Sequence, residues 1–190
     1  DSIDGHNGND VVVYATEYVT SADGTLTATV SKTAAEQMVF DTTVIGGLGT
    51  DTLRFDTETS NLSLADADFV RVVGFEAISL TGTGAQTVTL SANANTTFAS
   101  GVTVTAAAAA ASLDLDASAS AWTRTVYVTG TNNTDTFIGG SANDTVYGGG
   151  GNDTISGGGG NDSLLGEGGN DTISGGNGND LITGGAGQDS

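Results

Sequence analysis

From Gly139 to the end of the chain, apolar residues return at a fixed interval. Val146, Ile155, Leu164, Ile173 and Ile182 stand nine apart, each two residues after an aspartate. Those aspartates, Asp144, Asp153, Asp162, Asp171 and Asp180, are followed by Asp189 in the same phase. Asp135 and Phe137 extend the series one step back, in the less regular stretch GTNNTDTFI. Nine is neither the helical nor the strand period; it is a repeat length of parallel β-helices. Each unit predicts a six-residue Gly/Asn/Asp turn, then a three-residue strand whose central apolar side chain points inward. Two units close one coil, so turns two units apart stack, about 4.8 Å from each other along the hydrogen bonds. That places Asp144 beside Asp162 and Asp180, and Asp153 beside Asp171 and Asp189.

Residues 14–129 alternate instead. VVVYATEYVT and GTLTATVSK read as paired strands around an Asp23-Gly24 turn. LRF, NLSLA, VRVVG, EAISL, QTVTL, GVTVT, SLDLD and RTVYV follow as short strands. Their inward pairs are Leu62 and Leu64, Val70 and Val72, Ile78 and Leu80, Val88 and Leu90, Val102 and Val104, Leu113 and Leu115, and Val126 and Val128. Asp66-Ala67-Asp68 suits the start of a short helix or a turn. Asp114 and Asp116 share an outward face, open to solvent or to a weak extra cation site. Glu36 sits in a possible helical turn. The run Ala106–Ala111 has helical propensity but follows VTVT, so a tight coil fits equally. Met38, Phe40, Phe75, Trp122 and Tyr127 read as core fillers or rim anchors, and no aromatic stripe marks a carbohydrate groove. The fold class is all-β: a parallel β-roll or β-helix (solenoid) with an irregular Thr/Ala-rich β centre. The divisions are 1–13 (partial turns), 14–129 (the irregular solenoid, with one glycine turn at 46–54) and 130–190 (the regular roll).

Charge narrows the function. Among 190 residues, 23 are acidic and four basic, a formal net charge of -19. Such a chain repels nucleic acid and anionic membrane surfaces. No cysteine is present, so disulfides, zinc thiolates and thiol nucleophiles are excluded. His6 is the sole histidine and is expected at an exposed loop position of the first turn. There is no HExxH, no GxSxG and no long apolar run.

The same charge defines the chemistry. Stacked aspartates repel unless a cation lies between them, and one apolar residue per strand cannot offset that repulsion. Carboxylates and glycine-turn carbonyls are hard oxygen donors, which favour Ca²⁺. The candidate metal residues are Asp135, Asp144, Asp153, Asp162, Asp171, Asp180 and Asp189, with donors at Gly139, Gly148, Gly150, Gly157, Gly159, Gly166, Gly168, Gly175, Asn177 and Gly184. Folding and binding are then coupled. Asp51, in IGGLGTDTLRF, stands in the same register, but its lone turn needs a stacking partner from elsewhere. Asp10, in DSIDGHNGNDVVV, is a further candidate. Overlaying Asp189-Ser190 on Asp1-Ser2 makes an unbroken series of turns, so the ends are expected to continue a roll across a junction.

These nonapeptides resemble the RTX (repeats-in-toxin) family over residues 130–190, with shorter matches at 1–13 and 46–54. The resemblance implies a calcium-binding β-roll, disordered in calcium-poor cytoplasm, exported by type I secretion and folded outside the cell. Ala142 and Glu167 depart from the family's glycines. The stretch SLADADFVRVVGFEAISLTGTGAQTVTLS resembles Thr/Ala-rich solenoids of calcium-dependent bacterial surface-layer proteins and large adhesins. It implies a non-enzymatic scaffold that forms homo-oligomers, a lattice or filaments, with cell-surface polysaccharide as a further partner. The alternatives are a calcium-folding secretion module of an enzyme and a polysaccharide- or ice-binding adhesin domain.

Overall fold

The computed structural model describes residues 49–55, 61–70 and 72–190, together with the backbone of short strands at 3–4, 11–13, 20–22, 25–27 and 44–45. The strands are β1 (Ile3–Asp4), β2 (Val11–Val13), β3 (Thr20–Ala22), β4 (Thr25–Thr27), β5 (Val44–Ile45), β6 (Thr52–Phe55), β7 (Leu62–Leu64), β8 (Val72–Val73), β9 (Ala77–Leu80) and β10 (Ala85–Thr89). They continue as β11 (Val102–Ala106), β12 (Ser112–Asp116), β13 (Val126–Thr129), β14 (Thr136–Ile138), β15 (Thr145–Gly150), β16 (Thr154–Gly159), β17 (Ser163–Gly168), β18 (Thr172–Asn177) and β19 (Leu181–Ala186). Among the described residues a short helix, α1 (Ala92–Thr97), and a 3-10 turn at Asp66–Phe69 interrupt them.

The strands coil into a parallel solenoid. One sheet runs β2-β6-β9-β11-β13-β15-β17-β19, a second β7-β10-β12-β14-β16-β18, and a third β1-β5-β8. Among the described residues β3 pairs antiparallel with β4, Ala22 against Thr25; the expected Asp23-Gly24 turn lies outside the described residues. Val11–Val13, read from sequence as part of that hairpin, instead joins the large sheet beside β6. The two larger sheets cross residue 130 without a break, because β13 pairs with β15 and β12 with β14.

Coil length changes along the axis. Leu64 faces Val88, Val88 faces Leu115, and Leu115 faces Phe137. From there Phe137 faces Ile155 and Ile155 faces Ile173, the spacing of two nonapeptides. The longer central coils have room for a richer interior. Leu53, Phe55, Phe69, Phe75, Ile78, Leu80, Phe98, Val104, Leu113 and Trp122 are all buried there. In the roll the interior narrows to Val146, Ile155 and Leu164, then opens at Ile173 and Ile182 as the stack runs out.

Several expectations are corrected. Val70 points outward, 63% exposed, because the 3-10 turn begun by Asp66 ends there and moves it off the strand. Gln86 takes an inward position that alternation assigned only to apolar residues; its Nε2 donates to the Gly84 carbonyl at 2.7 Å. The helix α1 was not foreseen from Ala/Asn/Thr. Its start is organised by a distant side chain: Asp66 accepts the amides of Ser91, Asn93 and Ala94. From β15 onward the strands of the roll are six residues long rather than three, since the turn glycines pair in register, as Gly150 does with Gly168, whereas β14 keeps three. The expected helical turn at Glu36, and Met38, Phe40 and His6, lie outside the described residues.

Candidate metal centre

Two columns of turns flank the roll. In one, the Asp135 amide donates to Asp153 Oδ1 at 2.9 Å, Asp153 to Asp171 Oδ1 at 2.9 Å, and Asp171 to Asp189 Oδ1 at 3.0 Å. In the other, Asp144 donates to Asp162 Oδ1 at 2.8 Å, and Asp162 to Asp180 Oδ1 at 3.0 Å. These are the stacks the nine-residue phase predicts. An exposed asparagine ladder seals their rims: Asn161 donates to the Asn143 side chain, and Asn170 to that of Asn152.

The second carboxylate oxygen faces inward. Asp135, Asp144, Asp153, Asp162 and Asp171 are each at most 2% exposed. Oδ2 of Asp153, Asp162 and Asp171 is buried with no hydrogen-bond donor. Beside each lies another acceptor. A Cβ placed on Gly148 would be 2.5 Å from Asp153 Oδ2 and 2.7 Å from the Gly166 carbonyl oxygen. The same pairing flanks Gly157, with Asp162 and Gly175, and Gly166, with Asp171 and Gly184. Only glycine fits these positions, which places Gly139, Gly148, Gly157, Gly166, Gly175 and Gly184 against the carboxylates. Gly150, Gly159 and Gly168 are less confined, with nearest neighbours at 3.4 to 3.7 Å from such a Cβ. Gly175 and Gly184 crowd Asp180 and Asp189 in the same way, although Asp189 itself is exposed at the last turn. Asn177 is exposed and pairs with Gly159.

Sequence reasoning missed the second and fourth turn positions. Gly149, Gly151, Gly158, Gly160, Gly169, Gly176, Gly178, Gly185 and Gly187 all have positive φ, and so does Glu167 at 71°. The signal was present as glycine at fixed phase; its meaning is backbone handedness. Further back, Gly49 has φ of 136° and Asp51 is 1% exposed, so this turn has the roll's backbone character. Its strand β6 pairs in parallel with β2, and the turn that precedes β2 lies outside the described residues. Asp10 lies outside the described residues.

Electrostatics match this geometry. Burial pushes the Asp144 and Asp153 carboxyls up to about 6, against opposing backbone hydrogen bonds. Asp135 and Asp162 are raised for the same reason, with a smaller contribution from neighbouring carboxylates. Among the described residues no three acidic or histidine side chains converge on one point. A cation here must therefore share carboxylate and carbonyl oxygens, the hard donor set that suits calcium. The orphaned Oδ2 atoms and their carbonyl neighbours fit such an ion. Bound there, it would supply the positive charge that the paired acceptors lack.

A parallel solenoid with glycine turns stacked over inward carboxylates is a calcium-binding β-roll. Residues 1–15, 129–164 and 156–190 match the RTX calcium-binding nonapeptide repeat, in four copies. These segments are RTX repeats, their cofactor is Ca²⁺, and such repeats occur in secreted proteins. No curated protein and no solved structure matches the chain. Among the described residues no helix is long and apolar enough to cross a membrane.

Proposed function

We propose that this chain is a calcium-locked, non-enzymatic extracellular scaffold that assembles into a surface layer, filament or adhesin. The observation that carries it is the set of buried, donor-less oxygens at Asp153, Asp162 and Asp171. A fold built around these oxygens is stiff only when calcium neutralises them, so rigidity follows export. Electron microscopy with and without calcium tests this reading: sheets or filaments only in calcium support it, and isolated particles in both conditions overturn it. A catalytic domain elsewhere in the full gene would favour the enzyme-secretion alternative.

One observation favours polysaccharide as an additional partner. A groove of about 390 Å³ on the large sheet is lined by Glu76, Thr103, Thr125, Tyr127, Asn143 and Thr145, among others. Tyr127 is 44% exposed and lies against Tyr147, with ring centroids 5.6 Å apart. An exposed ring beside hydroxyl, amide and carboxylate groups is suited to a sugar. Glycan-array binding lost in Tyr127→Ala would support it; binding that survives would sink it.

A further inference from the structure

The roll's aspartates fall into two classes, and the division follows backbone handedness. In the turns starting at Gly148, Gly157 and Gly166, the second and fourth residues have positive φ. In the turns 130–135 and 139–144 neither position does. The consequence is visible at Oδ2. Where φ is not positive, the second residue's amide points at the carboxylate: Thr131 donates to Asp135 Oδ2 at 2.6 Å, and Gly140 to Asp144 Oδ2 at 3.1 Å. Where φ is positive, that donor is gone and Oδ2 of Asp153, Asp162 and Asp171 stands alone.

The other oxygens of Asp135 and Asp144 bond to the preceding coil. Leu113 donates to Asp135 Oδ1 at 2.6 Å, and Val126 to Asp144 Oδ1 at 2.7 Å. The Thr131 hydroxyl adds a bond to Asp135 Oδ1 at 3.0 Å. Both turns are seated on central residues as well. Asn132 donates its amide to the Ala108 carbonyl, and the Asn133 side chain donates to the Ala110 carbonyl. Trp122 packs so closely on Gly140 that a Cβ there would be 2.9 Å from its Cδ1.

We propose that Asp135 and Asp144 are metal-independent anchors, closed by protein donors, and that calcium sites within the roll begin at Asp153. The local cause is sequence. Thr131 is β-branched and disfavours the left-handed conformation that frees Oδ2 for an ion; in the next turn Ala142 disfavours it at the fourth position, while the donor Gly140, itself unrestricted, lies packed under Trp122. The anchors make the central coils a template. They fold without calcium and present a finished rung, on which β16, β17 and β18 add as ions bind. This rests on the calcium reading above and divides its sites residue by residue.

The experiment is equilibrium dialysis of the whole chain against calcium chloride, with hydrogen exchange of the same samples in EDTA. Asp153→Asn, Asp162→Asn and Asp171→Asn are each expected to lower the bound calcium by about one ion. Asp135→Asn and Asp144→Asn are expected to keep the full number while raising the calcium concentration needed for folding. If Asp135→Asn does not fold, Thr131→Val keeps the carboxylate and removes only the hydroxyl; it too should retain every ion and shift the midpoint upward. In EDTA, residues 102–146 should stay protected while 148–190 exchange freely. Equal ion loss at Asp135 and Asp153, ion loss in Thr131→Val, or an unprotected 102–146 would overturn the division. No calcium bound by the unaltered chain would instead overturn the calcium reading itself.

Discussion

In the central coils each strand from β11 to β13 turns at least two apolar side chains inward; in the roll β15, β16 and β17 turn one. Both regions use the same two sheets and the same parallel ladder. What differs is the source of cohesion. A buried Val, Leu or Phe contributes roughly 1.5–3 kcal/mol, so the centre has a hydrophobic interior of the usual kind. The roll replaces half of that interior with carboxylates and glycine, whose ordering is costly. The comparison teaches that a solenoid can change its cement without changing its backbone plan, provided the coil shortens to match.

The sharpest way to break the comparison is a single methyl group in the roll. Gly148→Ala puts a Cβ within 2.7 Å of both Asp153 Oδ2 and the Gly166 carbonyl oxygen. Neither can retreat, because each belongs to the stacked ladder. The expected outcome is loss of the calcium-induced rise in β circular dichroism from the roll, with the central signal intact. Gly159→Ala is the control, since its Cβ would have 3.7 Å of clearance, and should still fold.

The converse change strikes the centre. Phe98 is fully buried and meets Phe69 edge-on, with centroids 5.4 Å apart. Phe98→Ala should cost about 3–5 kcal/mol. In EDTA, thermal melting should shift down steeply. The count of calcium ions bound by the roll should not change at temperatures below that melt.

These regions were unequally legible in the sequence. The roll could be read almost residue by residue, because a strict nine-residue phase fixes both the stacking of aspartates and the inward apolar row. The centre gave up its alternation at Ile78, Leu80, Val104 and Leu115. It hid α1, whose start depends on Asp66 from the preceding coil rather than on local propensity. It also hid Gln86, held by a carbonyl two residues away. Within the site, the nearness of Asp to glycine was readable, but the split between Asp135 and Asp153 was not. That split depends on φ at Thr131 and Gly149, which residue type constrains without deciding.

Acid gives a smaller and reversible test. The Asp144 and Asp153 carboxyls titrate near 6 in the metal-free fold, above the ordinary value near 4. A carboxyl raised on folding binds its proton more tightly in the folded state. Its contribution to stability is therefore full below about pH 4 and is lost as pH rises through about 6. Without calcium, β signal should grow on acidification from pH 7 to 4. With calcium the dependence reverses at Asp153: protons compete there with the ion, so apparent affinity should rise as pH increases through about 6. A metal-free chain insensitive to pH across this window would contradict the buried, charged columns.

The smallest expected effect sharpens the role of handedness. Glu167 is the only non-glycine with positive φ among the described residues. It occupies a turn position that is glycine in the neighbouring repeats Gly149, Gly158 and Gly176. A left-handed conformation costs an L-residue roughly 1–2 kcal/mol, offset in part by the greater chain entropy of glycine in the unfolded state. Glu167→Gly should thus stabilise the calcium-bound roll by about 1 kcal/mol, read as a several-fold drop in the calcium midpoint. Glu167 is exposed, and loss of its charge also acts in this direction. Glu167→Gln separates the two causes, because it removes the charge and keeps the strain. A midpoint that falls as far in Glu167→Gln as in Glu167→Gly would assign the effect to charge. A fall confined to glycine would assign it to the backbone, the same variable that divides Asp135 from Asp153.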